Sequence, residues 1–210
     1  MITARQWHDD PVTFSPCADL TAAEWISSLD SPWETIATIG PPGYQAYGRL
    51  RFIHDPLFKG QSESDAEIPS EHLPDDEQLR VVVENLLNHT STPDDGYLLT
   101  WMGWDEGAFP GSLWRQPQVL IPNREYLMCR VSLHEYCSGA VEAAWEAEAR
   151  HPMPPPAFIW PADRAWCVTQ DVDPHWGSIG GEPAAIDSLL EEKRIDVVPF
   201  DPDEKLLSYY

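Results

Sequence analysis

The sequence predicts one α+β domain over residues 1–210, built on a largely antiparallel sheet of about six or seven strands with about four helices around it. Two hairpins and the scatter of the helices carry that prediction. "QVLIP" and "EYLMCRVS" are β-rich runs separated by the turn-forming Pro122-Asn123-Arg124, and "AFIW" and "AWCVTQDV" flank the turn "PADR". The helical stretches lie between and around these pairs and do not alternate with single strands, which disfavours a doubly wound parallel sheet. A chain of 210 residues buries roughly 70% of its unfolded surface, enough for a core that needs neither disulfides nor metal.

Taken in order, Thr21-Ala22-Ala23-Glu24 has capping-box form and opens a short helix to residue 29, stopped by Ser31-Pro32. Tyr47, Arg49 and Arg51 alternate with Gly48, Leu50 and Phe52, which predicts a strand ending before Asp55-Pro56. Residues 54–74 are polar and broken by prolines, so they form an acidic surface loop, expected to be flexible. Leu79, Val82, Val83, Leu86 and Leu87 recur at the spacing of one buried stripe and predict a helix from Asp75 to Thr90. "YLLTWMGW" reads as a mostly apolar strand before the first hairpin. Ser132-Leu133-His134-Glu135 is a second capping box and opens a helix to Ala149, which "HPMPPP" ends. "GSIGGEP" reads as a glycine turn ahead of a helix whose first turn accepts Pro183, "IDVVPF" as a last strand, and 201–210 as a C-terminal tail.

Acidic residues number 35 against 13 basic, for a formal net charge of −22. Phosphate backbones and anionic membranes repel such a surface, so nucleic acid and membrane are excluded as partners and a basic protein is admitted. Much of the acid lies between Lys59 and Arg80, at Glu63, Asp65, Glu67, Glu71, Asp75, Asp76 and Glu77. Cys17, Cys129, Cys137 and Cys167 have no zinc-site spacing and read as reduced thiols. "MITARQWHDDPV" lacks a signal-peptide profile and no apolar run reaches the roughly 20 residues that span a bilayer, so a cytoplasmic location is expected. No cofactor motif stands out.

"WCVTQDVDPHW" concentrates more reactive side chains than any other stretch. Strand alternation places Trp166, Val168, Gln170 and Val172 on one face and Ala165, Cys167, Thr169, Asp171 and Asp173 on the other. Asp171 and Asp173, with His175 beyond the Asp-Pro step, could hold a hard divalent cation. Asp-Pro is equally a strand-ending turn, and three ligands fall short of the sets that calcium or magnesium takes. No tight metal site is therefore expected. A small metal-dependent hydrolase or transferase on these three residues stays open as the alternative function. "GSIGG" lacks the lysine and the glycine order of a phosphate-binding loop, and no nucleophile motif is present.

Ten tryptophans exceed what a core of this size needs, so some should rim a groove. Trp101 and Trp104, and Trp160, Trp166 and Trp176 around the second hairpin, with Asp163 and Arg164 in its turn, are the candidate binding residues. Aromatic faces beside carboxylates favour a cationic or proteinaceous ligand over a phosphate.

At "TPDDGYLLTWMGW" and "PPPAFIWPADRAWCVTQDVDPHWGSIGG" the chain resembles a family of acidic actinobacterial proteins of comparable length, the likeness covering most of the chain from Tyr47 onward. The resemblance implies a bacterial cytoplasmic protein and transfers no catalytic residue. In acidity, tryptophan content and order of elements the chain is also similar to the SUKH immunity proteins, which neutralise partner toxins by binding. The leading reading is thus a non-enzymatic, protein-binding module, immunity-like in kind, with no cofactor.

Overall fold

The computed structural model describes residues 13–66, 68 and 72–210. The readings of the N-terminal stretch "MITARQWHDDPV" and of Glu67 and Glu71 lie outside them. Nine strands and seven α-helices are present among the described residues. The strands are β1 (Phe14–Pro16), β2 (Ala46–Arg51), β3 (Gly96–Trp101), β4 (Val119–Ile121), β5 (Arg124–Val131), β6 (Phe158–Pro161), β7 (Cys167–Thr169), β8 (Trp176–Gly181) and β9 (Val197–Pro199). The helices are α1 (Glu24–Ser27), α2 (Trp33–Thr38), α3 (Asp75–Leu86), α4 (Gly111–Trp114), α5 (Leu133–Cys137), α6 (Ala140–Ala149) and α7 (Pro183–Glu191).

The α+β class and the antiparallel sheet are as the sequence predicts, but the strand and helix counts are higher. Strands run in the order β1-β5-β3-β6-β7-β8-β2-β9, with β4 also on β5, and every pairing is antiparallel. β1 and β4 share one edge of β5, opposite its C-terminal and N-terminal halves.

Period-two alternation divides the core into two layers. Leu98, Leu127, Cys129, Ile159, Trp166, Val168 and Ile179 face the layer of α3, α5, α6 and α7. Leu99, Tyr126, Met128, Phe158, Trp160 and Cys167 face the layer of α1 and α2. Both faces of β7 are therefore buried, and the strand ends at Thr169, before the aspartates expected on its outer face.

"WGSIGG" is not a turn. It is β8, buried at all six positions and paired with β2 and β7. Its glycines admit close neighbours, since a Cβ on Gly180 would collide with the Tyr44 ring.

The helix expected from Ser132 to Ala149 is split. Gly139, at φ 76°, separates α5 from α6, and Ser132 makes no side-chain capping bond. At the first predicted capping box the cap moves upstream, where Asp19 accepts from both the amide and the hydroxyl of Thr21.

In the acidic segment the described residues hold one turn of 3-10 helix, Glu63–Asp65. Gln61 is buried there and accepts from the Leu57 amide. Among the described residues no helix is long and apolar enough to cross a membrane.

Candidate functional site

The sequence-predicted residues separate into four places. Trp160 and Trp166 are core residues with no exposed surface, which removes them from any binding face. Trp160 stacks on Tyr97 at 5.5 Å and takes an edge contact from Trp25, while the Trp166 indole donates to the carbonyl of Leu86 at 3.0 Å. A buried indole needs such a partner for its N–H, and the helical carbonyl at the end of α3 supplies one. Tryptophan count alone could not distinguish this use from a surface one.

Asp163 and Arg164 build the turn between β6 and β7. The Asp163 carboxylate accepts from Thr90 Oγ1, the Ser91 amide and hydroxyl, and the Ala165 amide, tying two loops together. Burial opposes its ionisation, but these donors outweigh it and hold its pKa below the usual aspartate value. Arg164, at φ 56°, lays its guanidinium over Trp25 at 5.2 Å.

Trp101, Trp104 and Asp171 do meet. They line a socket of about 200 Å³ with Phe52, Asp75 and Ala157 among its walls. Beside it the Arg124 guanidinium lies over the rings of both Trp33 and Trp101, at 4.6 and 4.8 Å, and donates to Asp171 Oδ2 at 3.0 Å. Asp171 is thereby neutralised by Arg124. Asp75 has no ion-pair partner among the described residues. Crowding by the protein on its inner side raises its pKa, an effect that His72 only partly offsets. Trp104 is 39% exposed at the rim.

His175 faces elsewhere. Its side chain is 3% exposed, and Nε2 lies 3.1 Å from Asp55 Oδ1. An ionised carboxylate only accepts, so Nε2 is the protonated nitrogen. Asp55 also accepts both terminal nitrogens of Arg49 and one from Arg51 at 3.0 Å, and Arg51 reaches on to Asp196. Burial pushes the Asp55 pKa up, yet the bonds from Arg49, His175 and Arg51 win and place it far below the ordinary carboxylate range. The sequence signal for this network was visible in the alternation of Arg49 and Arg51 on one face of β2 with Asp55 close behind them, but His175 and Asp196 join it from far along the chain.

Asp171, Asp173 and His175 thus do not converge. Asp171 turns to Arg124, His175 to Asp55, and Asp173 is exposed. Among the described residues no group of three His, Cys, Asp or Glu side chains is placed to hold a metal ion. The buried thiols are inert by the same physics, since burial pushes Cys167 up to about 12. Two larger hollows flank the Asp55 network. One, of about 480 Å³, is bounded by Arg51, His54, His72, Arg194 and Asp196. The other, of about 510 Å³, lies under the C-terminal tail and includes Asp173, His175 and Trp176.

No family model, curated protein or solved structure matches the chain.

Proposed function

We propose that this protein is a non-enzymatic binding module that holds a basic partner protein by seating one of its lysine or arginine side chains in the Trp101–Trp104 socket. The observation that supports this reading is the pairing of aromatic walls with Asp75, an exposed carboxylate that makes no ion pair among the described residues. A volume of about 200 Å³ suits one side chain. It falls below the roughly 300–1,000 Å³ of small-molecule sites. A cation over an indole face gains electrostatic attraction, and the Trp33–Arg124–Trp101 stack is the same contact made within the chain. The net charge of −22 would speed the encounter with a basic surface. The likeness to immunity proteins adds a class of partner, a basic toxin neutralised by occlusion.

Affinity capture with wild type, Trp104→Ala and Asp75→Asn, each at about 0.1 M and about 1 M salt, tests the reading. A protein of basic isoelectric point should be retained by wild type at low salt, released at high salt and lost by both variants. Retention indifferent to salt and to both substitutions, or no retained protein, would refute it.

A further inference from the structure

We infer that the cavity beneath the C-terminal tail is a second binding site, built for a small protonated amine carried on an apolar body. Its volume, about 510 Å³, lies within the range of small-molecule sites. Trp176, Phe200 and Tyr209 give it aromatic walls, with the Trp176 and Phe200 rings tilted at 5.3 Å and Tyr209 set edge-on to His175 at 4.9 Å. Three carboxylates, Glu63, Asp173 and Glu204, line it, and no lysine or arginine does so among the described residues. None of the three is in an ion pair among those residues. Aromatic faces with unanswered carboxylates recognise organic cations and reject anions.

Hydrogen bonding narrows the class further. His175, more than nine-tenths buried, forms part of the lining with Nε2 bonded to Asp55, and its Nδ1 has no hydrogen-bond partner in the protein among the described residues. A ligand with ammonium N–H groups donates to the lining carboxylates Glu63, Asp173 and Glu204, whereas a quaternary ammonium has no N–H to give.

The tail supplies the way in. After the Phe200 amide donates to Tyr47 O, residues 201–210 form no helix or strand. Beyond local turns, two hydrogen bonds pin them, Tyr209 Oη to the His54 carbonyl at 2.7 Å and the Tyr210 amide to the Gln61 carbonyl at 3.0 Å. A strap held at so few points opens at modest cost.

Calorimetric titration of the full chain with phenethylamine, spermidine, tetramethylammonium, 2-phenylethanol and phenylacetate tests the assignment. At least one of the two N–H-bearing amines should bind with a Kd below about 1 mM, and tetramethylammonium and the neutral alcohol at least about tenfold more weakly. Phenylacetate should not bind. The surface double variant Asp173→Asn/Glu204→Gln, whose sites are exposed, should lose about tenfold or more in amine affinity while keeping its melting temperature. Trp104→Ala should leave amine binding unchanged, so this site and the Trp101–Trp104 socket can fail separately. Equal binding of the alcohol and the amines, unaltered affinity in the double variant, or no amine binding at about 1 mM would overturn the proposal.

Discussion

Asp55 and Glu142 are both covered carboxylates facing arginine, and they end in opposite states. Their side chains are 31% and 20% exposed. Asp55 collects donors from Arg49, Arg51 and His175, and its pKa falls. Glu142 collects one side-chain contact, from Arg80 at 3.3 Å, and its Oε2 is buried with no donor. Burial dominates there, and the pKa rises against the pull of its backbone bond and of Arg80. Arg80 is also shared, reaching Asp76 at 3.1 Å and Glu77 at 4.0 Å. One guanidinium divided among three acids leaves the buried one under-compensated, whereas two guanidiniums and an imidazole converging on one acid more than compensate it. In a chain this acidic, the placement of a few arginines decides where a buried carboxylate is stable.

The hardest way to break the contrast is Asp55→Ala. It leaves Arg49, 5% exposed, without its carboxylate, and should cost about 3 kcal/mol or more of unfolding free energy in urea titration. A loss below about 1 kcal/mol would mean that the network adds little beyond geometry. Acidification should then separate the two sites. Asp55 binds its proton more weakly folded than unfolded, so its stabilisation is complete above about pH 4 and disappears as pH falls below that. Glu142 binds its proton more tightly folded, so its favourable contribution exists below about pH 4 and is lost as pH rises through its elevated folded value. The stability difference between wild type and Asp55→Asn should therefore shrink below pH 4. That between wild type and Glu142→Gln should shrink as pH falls toward about 4, the ordinary carboxylate value; a parallel pair of curves would contradict both assignments. The smallest effect is Glu142→Gln itself, expected to change stability at pH 7 by about 1 kcal/mol or less, in the stabilising direction. Clear destabilisation there would show that the Arg80 contact is worth more than its length implies.

Local pattern and remote partnership differ in how far they can be read from the chain. β3, the β4–β5 hairpin, α3 and α7 follow from an apolar run, two β-rich runs about a turn, helical spacing and Pro183, because their signals lie within the elements themselves. β8 was missed because its glycines mimic a turn, and its strand character comes only from β2 and β7 on either side. The socket was half visible. Trp101 and Trp104 stand close in sequence, but Asp75 and Arg124 reach them only through the fold, and Arg124 meets Asp171 across 47 positions. Trp166 illustrates the converse, since an aromatic beside a polar motif drew a functional reading that the Leu86 carbonyl explains without one.

The stack of Trp33, Arg124 and Trp101 also makes the molecule its own optical reporter. Two indoles held against one planar cation, at 4.6 and 4.8 Å from it, sit in a fixed chiral environment and should contribute a near-ultraviolet circular dichroism band. Arg124→Gln should flatten that band while the far-ultraviolet spectrum stays unchanged. Occupation of the neighbouring socket could then be followed in solution without any attached dye.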